Sequence, residues 1–538
     1  MLSKRNVQPR LGKLSLGLMV LSAIGGCAEY GARPASPAQG GRAWLEASSP
    51  RFRVVSDLPA AESEAIAREL EQGVEAIDQV AFEHARTKLE PTTVVVFSSA
   101  SDFHAFMPEL LEGRFYRNLP GDLEPSPFLV LYGSLDESSR ITCLHELTHD
   151  LFDRNFGPAP PWLSEGWAQY FSTIQIEPTR IRVGAALPHL TFTQDAQPVM
   201  AKADNGTEVL AMPVDLVVPP SQLLGMDRGT FYSSAFSHGA GQEERLRATS
   251  LYLGAWALVH LLHDGPEPYP TRFKGFLEAA RRAPLQAAWA GAFAGLGAEQ
   301  FDHDFRVYLA KREMATFEFK RRAAESPASV SIRALSDAEV RLYWARLSSG
   351  PATEAAAARD LDVAVTEAPG SAEARYFRGL HWLHRQRLPA AETDLVEAVR
   401  LAPNDPRYLF GVLMLRITQS KATEHVQTGD PIMQAAEPLV AVARSPAQLR
   451  VLALVHDDLG QLDRALELAQ RAVSLAPIDP SSLDAEAQIL NHLGRTKDAL
   501  DVERAAVAFL PENTAAPEIV ERLNELEAAA RASAASAR

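Results

Sequence analysis

A spacing of 34 residues that recurs in the C-terminal part of the chain constrains the fold more than any other sequence feature. Prolines, glycines and alanines repeat at this interval, in the pairs Pro369 and Pro403, Pro477 and Pro511, Gly460 and Gly494, Ala465 and Ala499, and Ala357 and Ala391. Such a period is typical of paired helices that stack on their neighbours, because one pair alone cannot bury its apolar face. The spacing therefore predicts an all-α solenoid over residues 335–532.

Residues 460–473 resemble the second helix of a tetratricopeptide repeat, in which small residues lie where paired helices touch. The resemblance implies about five units over residues 335–511, the third of them lengthened by a loop around residues 418–431. A capping helix is expected at the end of the solenoid, followed by a disordered tail over residues 533–538. Solenoids of this type leave a concave groove, so we expect a protein partner to dock on the repeats. A generic helical bundle is the alternative.

The first 27 residues have the composition of a secretory leader. Basic residues precede an apolar run that is too short to span a bilayer as a mature helix. The run ends in a segment, Leu-Ser-Ala-Ile-Gly-Gly-Cys, that resembles a bacterial lipobox and implies cleavage of residues 1–26 and diacylation of Cys27. The protein would then be lipid-anchored in the bacterial cell envelope, and Ala28 after the cysteine implies the outer membrane. A plain signal peptide with an incidental cysteine is the alternative.

Composition predicts a linker after the leader and argues against one class of partner. Residues 27–50 are rich in Ala, Gly, Pro and Ser and predict a flexible linker. The formal net charge is −15 at pH 7, and no run of lysines and arginines offers a patch for a phosphate backbone. Nucleic acid is therefore excluded as an expected partner.

Residues 51–325 alternate strand and helix patterns and predict an α+β domain with a small sheet and helices packed on it. Strands are predicted over residues 51–55, 92–97 and 128–133, and a helix over residues 60–88. Prolines between the last two strands favour a loop there. A loop-rich segment is likewise expected over residues 175–235.

A predicted helix over residues 139–152 carries two histidines at a spacing suited to metal binding. His145 and His149 are four residues apart, so they project from the same side of the helix. Two neutral imidazoles in this arrangement can bind one zinc ion, and Glu146 points beside them, where a metal-bound water would lie. Histidines that are hydrogen-bonded inside the core are the alternative.

A second predicted helix, over residues 160–171, offers a third ligand. Glu165 lies sixteen residues after His149, and the intervening loop is long enough to fold this helix back beside the first. Gly166 removes a side chain next to Glu165, which predicts that the two helices approach closely. Two histidines and one glutamate leave the fourth tetrahedral position open, as in catalytic rather than structural zinc sites.

The segments His-Glu-Leu-Thr-His at 145–149 and Pro-Trp-Leu-Ser-Glu-Gly-Trp-Ala-Gln-Tyr-Phe at 161–171 resemble the core of the peptidase MA-like gluzincins. A later segment at 251–262 is similar to a further helix of that group, so the resemblance covers about residues 51–315. It implies a zincin-like metallopeptidase domain that holds one zinc ion per chain through His145, His149 and Glu165. It also implies that Glu146 acts as the base when a peptide or protein substrate is hydrolysed.

Two parts of such a site stay unassigned. Thermolysin-like enzymes stabilise the reacting carbonyl oxygen with a tyrosine or histidine beside the zinc. Four residues qualify by type: Tyr232, His238, Tyr252 and His260. One turn after Glu165 the helix has Gln169, so the carboxylate that would orient a histidine ring is also unidentified.

These observations predict a zinc-dependent peptidase of the cell envelope with a helical-repeat domain for docking. Two alternatives belong to other functional classes. One is a zinc-binding but catalytically inactive lipoprotein adaptor that acts through its repeats. The other is a purely structural lipoprotein scaffold.

Overall fold

The fold was analysed in a computed structural model. It describes residues 32–82, 91–107, 113–116, 119, 122–124, 126–157, 159–186, 190–202, 208–233, 242–281, 283–311, 314, 316–322, 328–348, 353–420, 431–510 and 516–536. The predicted leader, Cys27 and His238 lie outside these ranges. Within them, no helix combines the length and apolar character needed to cross a bilayer.

The N-terminal part contains short strands and ten helices within the described residues. The strands are β1 (Leu45–Ser48), β2 (Phe52–Ser56), β3 (Thr92–Phe97), β4 (Gly113–Tyr116), β5 (Phe128–Tyr132), β6 (Gln175–Ile176), β7 (Arg180–Val183), β8 (Leu190–Thr193), β9 (Val199–Lys202), β10 (Glu208–Pro213), β11 (Phe317–Lys320) and β12 (Ser331–Ala334). The helices are α1 (Ala60–Ile77), α2 (Ala100–His104), α3 (Glu137–Phe156), α4 (Pro161–Ser172), α5 (Pro220–Leu223), α6 (Arg228–Ser233), α7 (Gln242–Asp264), α8 (Tyr269–Ala280), α9 (Leu285–Ala292) and α10 (Ala298–Ala310).

The main sheet has six strands in the order β12-β1-β2-β3-β5-β4. Strands β2, β3 and β5 run parallel, whereas β4, β1 and β12 pair with their neighbours in antiparallel fashion. All six residues of β3 are buried, because both faces of the sheet are covered. Val94 and Val96 face a core that includes residues of α1 and α3, and Val95 and Phe97 face the opposite core.

The C-terminal part consists of helical hairpins. Its helices are α11 (Asp337–Leu347), α12 (Glu354–Glu367), α13 (Ala372–His384), α14 (Leu388–Leu401), α15 (Pro406–Gln419), α16 (Pro431–Val442), α17 (Pro446–Asp458), α18 (Leu462–Leu475), α19 (Pro480–His492), α20 (Thr496–Ala508) and α21 (Pro517–Ser536). Consecutive helices pair from α11 with α12 to α19 with α20, which gives five hairpins among the described residues. The helical-repeat part of the predicted fold class is therefore confirmed.

The first hairpin also belongs to the core of the sheet. Val340, Tyr343 and Trp344 of α11 pack in one buried cluster with Val95 and Phe97 of β3. Helix α11 therefore covers the sheet face opposite α1 and α3, so the first helix of the repeats and the sheet share one hydrophobic cluster.

The structure corrects several predicted boundaries. The linker predicted over residues 27–50 ends too late, because β1 pairs with β2 and β12, and Ala47 is fully buried. The gap left between the two predicted domains contains β12, which completes the sheet. The tail predicted over residues 533–538 is also wrong in part, because α21 continues to Ser536.

Other differences lie inside the predicted domain. The loop predicted before residue 128 contains β4, and the loop-rich segment 175–235 forms short strands in two small three-stranded sheets. The helix predicted over residues 60–88 ends at Ile77, where a π-helical turn, Asp78–Phe82, follows. Residues 83–88, and most of the loop predicted around 418–431, lie outside the described residues.

Gly166 allows a close helix contact, although not the one that the sequence predicts. A Cβ atom at Gly166 would lie 2.3 Å from the carbonyl oxygen of Ala255 and 2.7 Å from Val259 Cγ2, both on α7. Helix α4 packs between α3 and α7, and the glycine faces α7. The close approach therefore joins α4, the helix that carries Glu165, to the long helix α7.

We expect Gly166→Ala to destabilise the N-terminal part by roughly 1–3 kcal/mol, because the backbone of α7 must move to admit the methyl group. The measurement is the midpoint of thermal unfolding. Gly275→Ala is the matched control, because a Cβ atom added to that helical glycine would have no neighbouring atom within 4 Å. The control should be neutral or gain about 0.5–1 kcal/mol. Equal midpoints for the two variants would contradict the packing described here.

Candidate metal centre

Helix α3 is bounded by a capping residue at its N-terminus and a glycine at its C-terminus. The Asp136 side chain accepts a hydrogen bond from the Ser139 backbone N–H at 2.8 Å and so caps the N-terminus. Gly157 ends the helix with a φ of 80°, a conformation that L side chains rarely adopt. Between these ends Leu144, Leu147 and Leu151 are buried in the core. The turn that carries the two histidines must instead remain accessible to a ligand.

The structure brings the three predicted ligand residues together. His145 Nε2 and His149 Nε2 are 3.1 Å apart. Glu165 Oε2, from α4, lies 3.2 Å from His145 Nε2 and 3.7 Å from His149 Nε2. Within the described ranges, these three residues form a group whose ligand atoms all lie within 4.8 Å of one another.

These distances fit a tetrahedral zinc ion. Bonds of 2.0–2.1 Å at tetrahedral angles place ligand atoms roughly 3.3 Å apart, close to the three separations observed. The donor set, two imidazole nitrogens and one carboxylate oxygen, is the set found at catalytic zinc sites that keep one open position. The residues present therefore fit the ion that the sequence predicts.

Two hydroxyl groups contact the candidate ligands His149 and Glu165. Ser164 Oγ lies 2.9 Å from His149 Nδ1, and a proton on Nδ1 would leave Nε2 with its lone pair for a metal. The Tyr232 hydroxyl donates to Glu165 Oε1 at 2.7 Å, which leaves Oε2 facing the histidines. A serine therefore occupies the orienting role for which the sequence offered no carboxylate. No sequence motif marks either residue.

The two buried carboxyl groups of the centre, Glu146 and Glu165, have pKa values shifted in opposite directions. Burial raises the pKa of the Glu146 carboxyl to about 7, and Glu165 adds to the rise while His145 opposes it. Burial also acts to raise the pKa of Glu165, but His149 and His145 outweigh it and hold that pKa well below its usual range. Glu165 is therefore the carboxyl group that stays ionised, and Glu146 is the one that burial disposes to hold a proton.

The structure describes three of the four residues that qualified as carbonyl-oxygen donors, and their contacts differ. His260 is excluded because Nδ1 lies 2.7 Å from the Tyr308 hydroxyl and Nε2 lies 3.1 Å from the Gly184 carbonyl oxygen. Tyr232 already donates to Glu165. The Tyr252 hydroxyl is buried and has no hydrogen-bond partner within the part of the chain that the structure describes.

Tyr252 lies close to the charged centre. Burial raises the pKa of its hydroxyl, and the carboxylates of Glu165 and Glu146 raise it further. The hydroxyl therefore stays protonated, so it is a donor. Gln169, which replaces a carboxylate one turn after Glu165, also has a buried side-chain oxygen without a partner among the described residues.

Comparisons with known proteins find likeness in solved structures of tetratricopeptide (TPR) proteins. TTC0263, a thermophilic TPR protein in Thermus thermophilus, is 18% identical and covers 35% of this chain and 98% of its own, with a TM-score of 0.29. MamA from Desulfovibrio magneticus RS-1 is 17% identical over 32% of this chain and 94% of its own, with a TM-score of 0.28. YrrB, a TPR protein with an unusual peptide-binding site, is 14% identical over 32% of this chain and 86% of its own, with a TM-score of 0.27. No family model and no curated protein matches the chain.

Proposed function

We propose that this protein is a gluzincin-like zinc peptidase of the bacterial cell envelope, which hydrolyses peptide bonds in protein substrates and docks a partner or substrate on its helical repeats. One observation carries the proposal: His145, His149 and Glu165 converge from two helices with separations that suit one zinc ion, and Glu146 is buried beside them. A purely structural scaffold needs no such arrangement.

The residues of the chain divide the work of hydrolysis among them. When bound, zinc supplies a Lewis acid that polarises the peptide carbonyl and lowers the pKa of a water molecule. Glu146 accepts a proton as the water oxygen bonds to the carbonyl carbon, and it delivers that proton to the amine nitrogen as the C–N bond breaks. A carboxyl group whose pKa lies near 7 suits both transfers.

Tyr252 is the residue that we assign to the carbonyl oxygen. Negative charge develops on this oxygen during the attack, and a fixed hydrogen-bond donor in a buried site stabilises it. The Tyr252 hydroxyl is protonated, buried and unpartnered among the described residues. The carbonyl oxygen of a bound substrate would accept a hydrogen bond from this hydroxyl.

We expect Tyr252→Phe to lower kcat by about 100-fold, the lower end of the range for one such donor, without loss of zinc. Folding should be preserved because the hydroxyl makes no hydrogen bond within the described chain. Tyr232→Phe is the matched comparison. It removes the hydrogen bond to Glu165 and should weaken zinc binding roughly 10- to 100-fold. Full turnover by Tyr252→Phe, measured by peptide hydrolysis, would overturn the assignment.

The edge of the main sheet offers a place for an extended substrate. Strand β4 is at the end of the strand order, pairs with β5 on one side and lies next to α3. Backbone groups on the outer side of an edge strand can pair with an extended peptide. This edge would lead a substrate past the helix that carries His145 and His149.

Zinc content and hydrolysis together test the proposal against its alternatives. The purified chain should carry close to one zinc ion, measured by atomic emission, because two histidines and a glutamate provide an open tetrahedral site. It should also cleave an unstructured protein, measured by the appearance of new N-termini. Zinc without cleavage would favour the inactive adaptor, and the absence of both would favour the scaffold.

The proposed anchor has its own test. Two acyl chains on Cys27 would give stable membrane attachment, whereas a single chain gives marginal binding. We expect Cys27→Ser to move the protein from the membrane pellet to the soluble envelope fraction, as measured by immunoblotting of both fractions. A variant that still pellets with membranes would show that lipidation does not hold the protein there.

A further inference from the structure

The chain segment between β4 and β5 reaches across to the repeats. Asp122 Oδ2 accepts a hydrogen bond from Arg346 Nη2 of α11 at 2.9 Å, and each side chain is 10% exposed. The same Arg346 nitrogen donates to Ser126 Oγ at 3.1 Å. The Arg346 guanidinium also lies 4.2 Å from the Phe377 ring of α13, which fixes its position between two hairpins.

Glu124 is bound at the N-terminus of α17, three hairpins further along than α11. Gln448 Nε2 donates to Glu124 Oε2 at 2.9 Å, and the Ser445 hydroxyl donates to Oε1. Ser445 is the N-cap of α17 and accepts from the Gln448 backbone N–H, so both donors are fixed by the helix end. The carboxylate also suits the positive end of the helix dipole.

Leu123, between the two acidic residues, packs against two buried clusters of the repeats at once. One cluster contains Leu380 of α13, and the other contains Leu409 of α15 and Leu449 of α17. Tyr376 of α13 is buried nearby. Burial raises the pKa of its hydroxyl, and the carboxylates of Glu124 and Asp122 raise it further. The three residues 122–124 therefore lie along the first helices of successive hairpins.

This surface is where helical solenoids bind extended peptides. It offers a cation, an apolar contact and two uncharged donors at three separate positions, and these match a carboxylate, a leucine and a second carboxylate in sequence. Recognition rests on side chains of the ligand segment, so another chain with the same pattern can make the same contacts.

We propose that the inner face of the repeats is a binding groove for an extended protein segment with the pattern Asp-Leu-Glu, and that residues 122–124 occupy it in cis until a partner with this pattern displaces them. The inference rests on the docking role within the proposed function and names the chemistry of the partner. Because the same loop connects the edge strand β4 to β5, displacement would also loosen the support of that strand.

A peptide-binding experiment on the full chain tests this inference. The probe is a fluorescent peptide with the sequence of residues 117–127, and binding is followed by fluorescence anisotropy in the presence of a chelator. The chelator keeps hydrolysis out of the measurement, so the result is independent of whether the zinc centre is catalytic. The probe is titrated into the unchanged chain and into a variant that combines Asp122→Asn, Leu123→Ala and Glu124→Gln.

We expect the variant to bind the probe at least about ten-fold more tightly than the unchanged chain, because its own loop no longer competes. A control peptide with the same three replacements should bind the variant at least about ten-fold more weakly than the probe. Should the triple variant fail to fold, as judged by circular dichroism, Leu123→Ala alone provides the open groove. Equal affinity of the probe for the two chains, no binding to either, or equal binding of probe and control peptide would overturn the proposal.

Discussion

Replacement of Glu146 by glutamine is expected to lower peptide hydrolysis by roughly 100-fold or more while leaving zinc content unchanged. The amide keeps the shape and hydrogen-bonding reach of the carboxyl group but cannot accept the proton of the attacking water. Glu146 is 3% exposed, and burial raises the pKa of its carboxyl to about 7, so the fold already disfavours a charge at this position. A neutral amide should therefore be accommodated without loss of stability.

Three measurements on the same preparation separate chemistry from folding. Initial rates on an unstructured protein give the loss of activity, atomic emission gives the zinc content, and thermal unfolding gives the stability. Glu137→Gln is the matched control, because it makes the same change from carboxylate to amide at an exposed position in the first turn of the same helix, two turns before His145. Unchanged hydrolysis in Glu146→Gln would mean that the activity arises elsewhere.

The second large effect is expected for the metal ligands. His149→Ala should reduce the zinc content from close to one ion per chain to nearly none, and hydrolysis should disappear with it. The loss of affinity should exceed the roughly 10- to 100-fold cost of removing a residue that merely hydrogen-bonds a ligand. His149 supplies one of the three converging atoms. Without it, only His145 and Glu165 would remain to bind zinc, and water would fill the other two tetrahedral positions.

A histidine outside the centre provides the control for this variant. His303→Ala removes an exposed imidazole from α10 and should leave both zinc and hydrolysis at the level of the unchanged chain. Full zinc retention in His149→Ala would contradict the ligand assignment. Zinc loss in both variants would show that the loss is not specific to the proposed centre.

Local sequence patterns were sufficient to predict the helices that carry the candidate ligands. The spacing of His145 and His149 places both on one face of a helix because of helix geometry alone. The repeats were predictable for a related reason, since each hairpin repeats the same local pattern and contacts mainly its neighbours. Glu165 could be predicted because its segment resembles a known helix and the loop before it is long enough to fold that helix back beside the first.

The missed features depend on contacts between distant parts of the chain. Tyr232 reaches Glu165 across 67 residues, and no spacing rule covers such a contact. Strands β4 and β12 are four residues long, and their pairing at the sheet edges is decided by partners far away in sequence. Trp44 was assigned to a linker because the segment around it is rich in Ala, Gly, Pro and Ser, yet it packs edge-on against Phe97 in the core.

The occupied groove of the repeats was missed for the same reason. The repeat period predicts a concave surface, but it contains no information about which segment lies on it. Residues 122–124 come from a region whose prolines indicated a loop, and the sequence does not show that Arg346 would pair with Asp122 more than 200 residues away. Only the tertiary structure connects the two.

The most direct test of the central claim is a zinc titration of the chelated protein. The purified chain is stripped of metal with a chelator and dialysed. It is then mixed with an unstructured protein substrate and increasing amounts of zinc. We expect no hydrolysis at the start and a linear recovery of the initial rate that stops at about one zinc ion per chain, as a single open tetrahedral site requires. Hydrolysis that survives removal of the metal, or zinc binding at that ratio without recovery of hydrolysis, would contradict the assignment of this protein as a zinc peptidase.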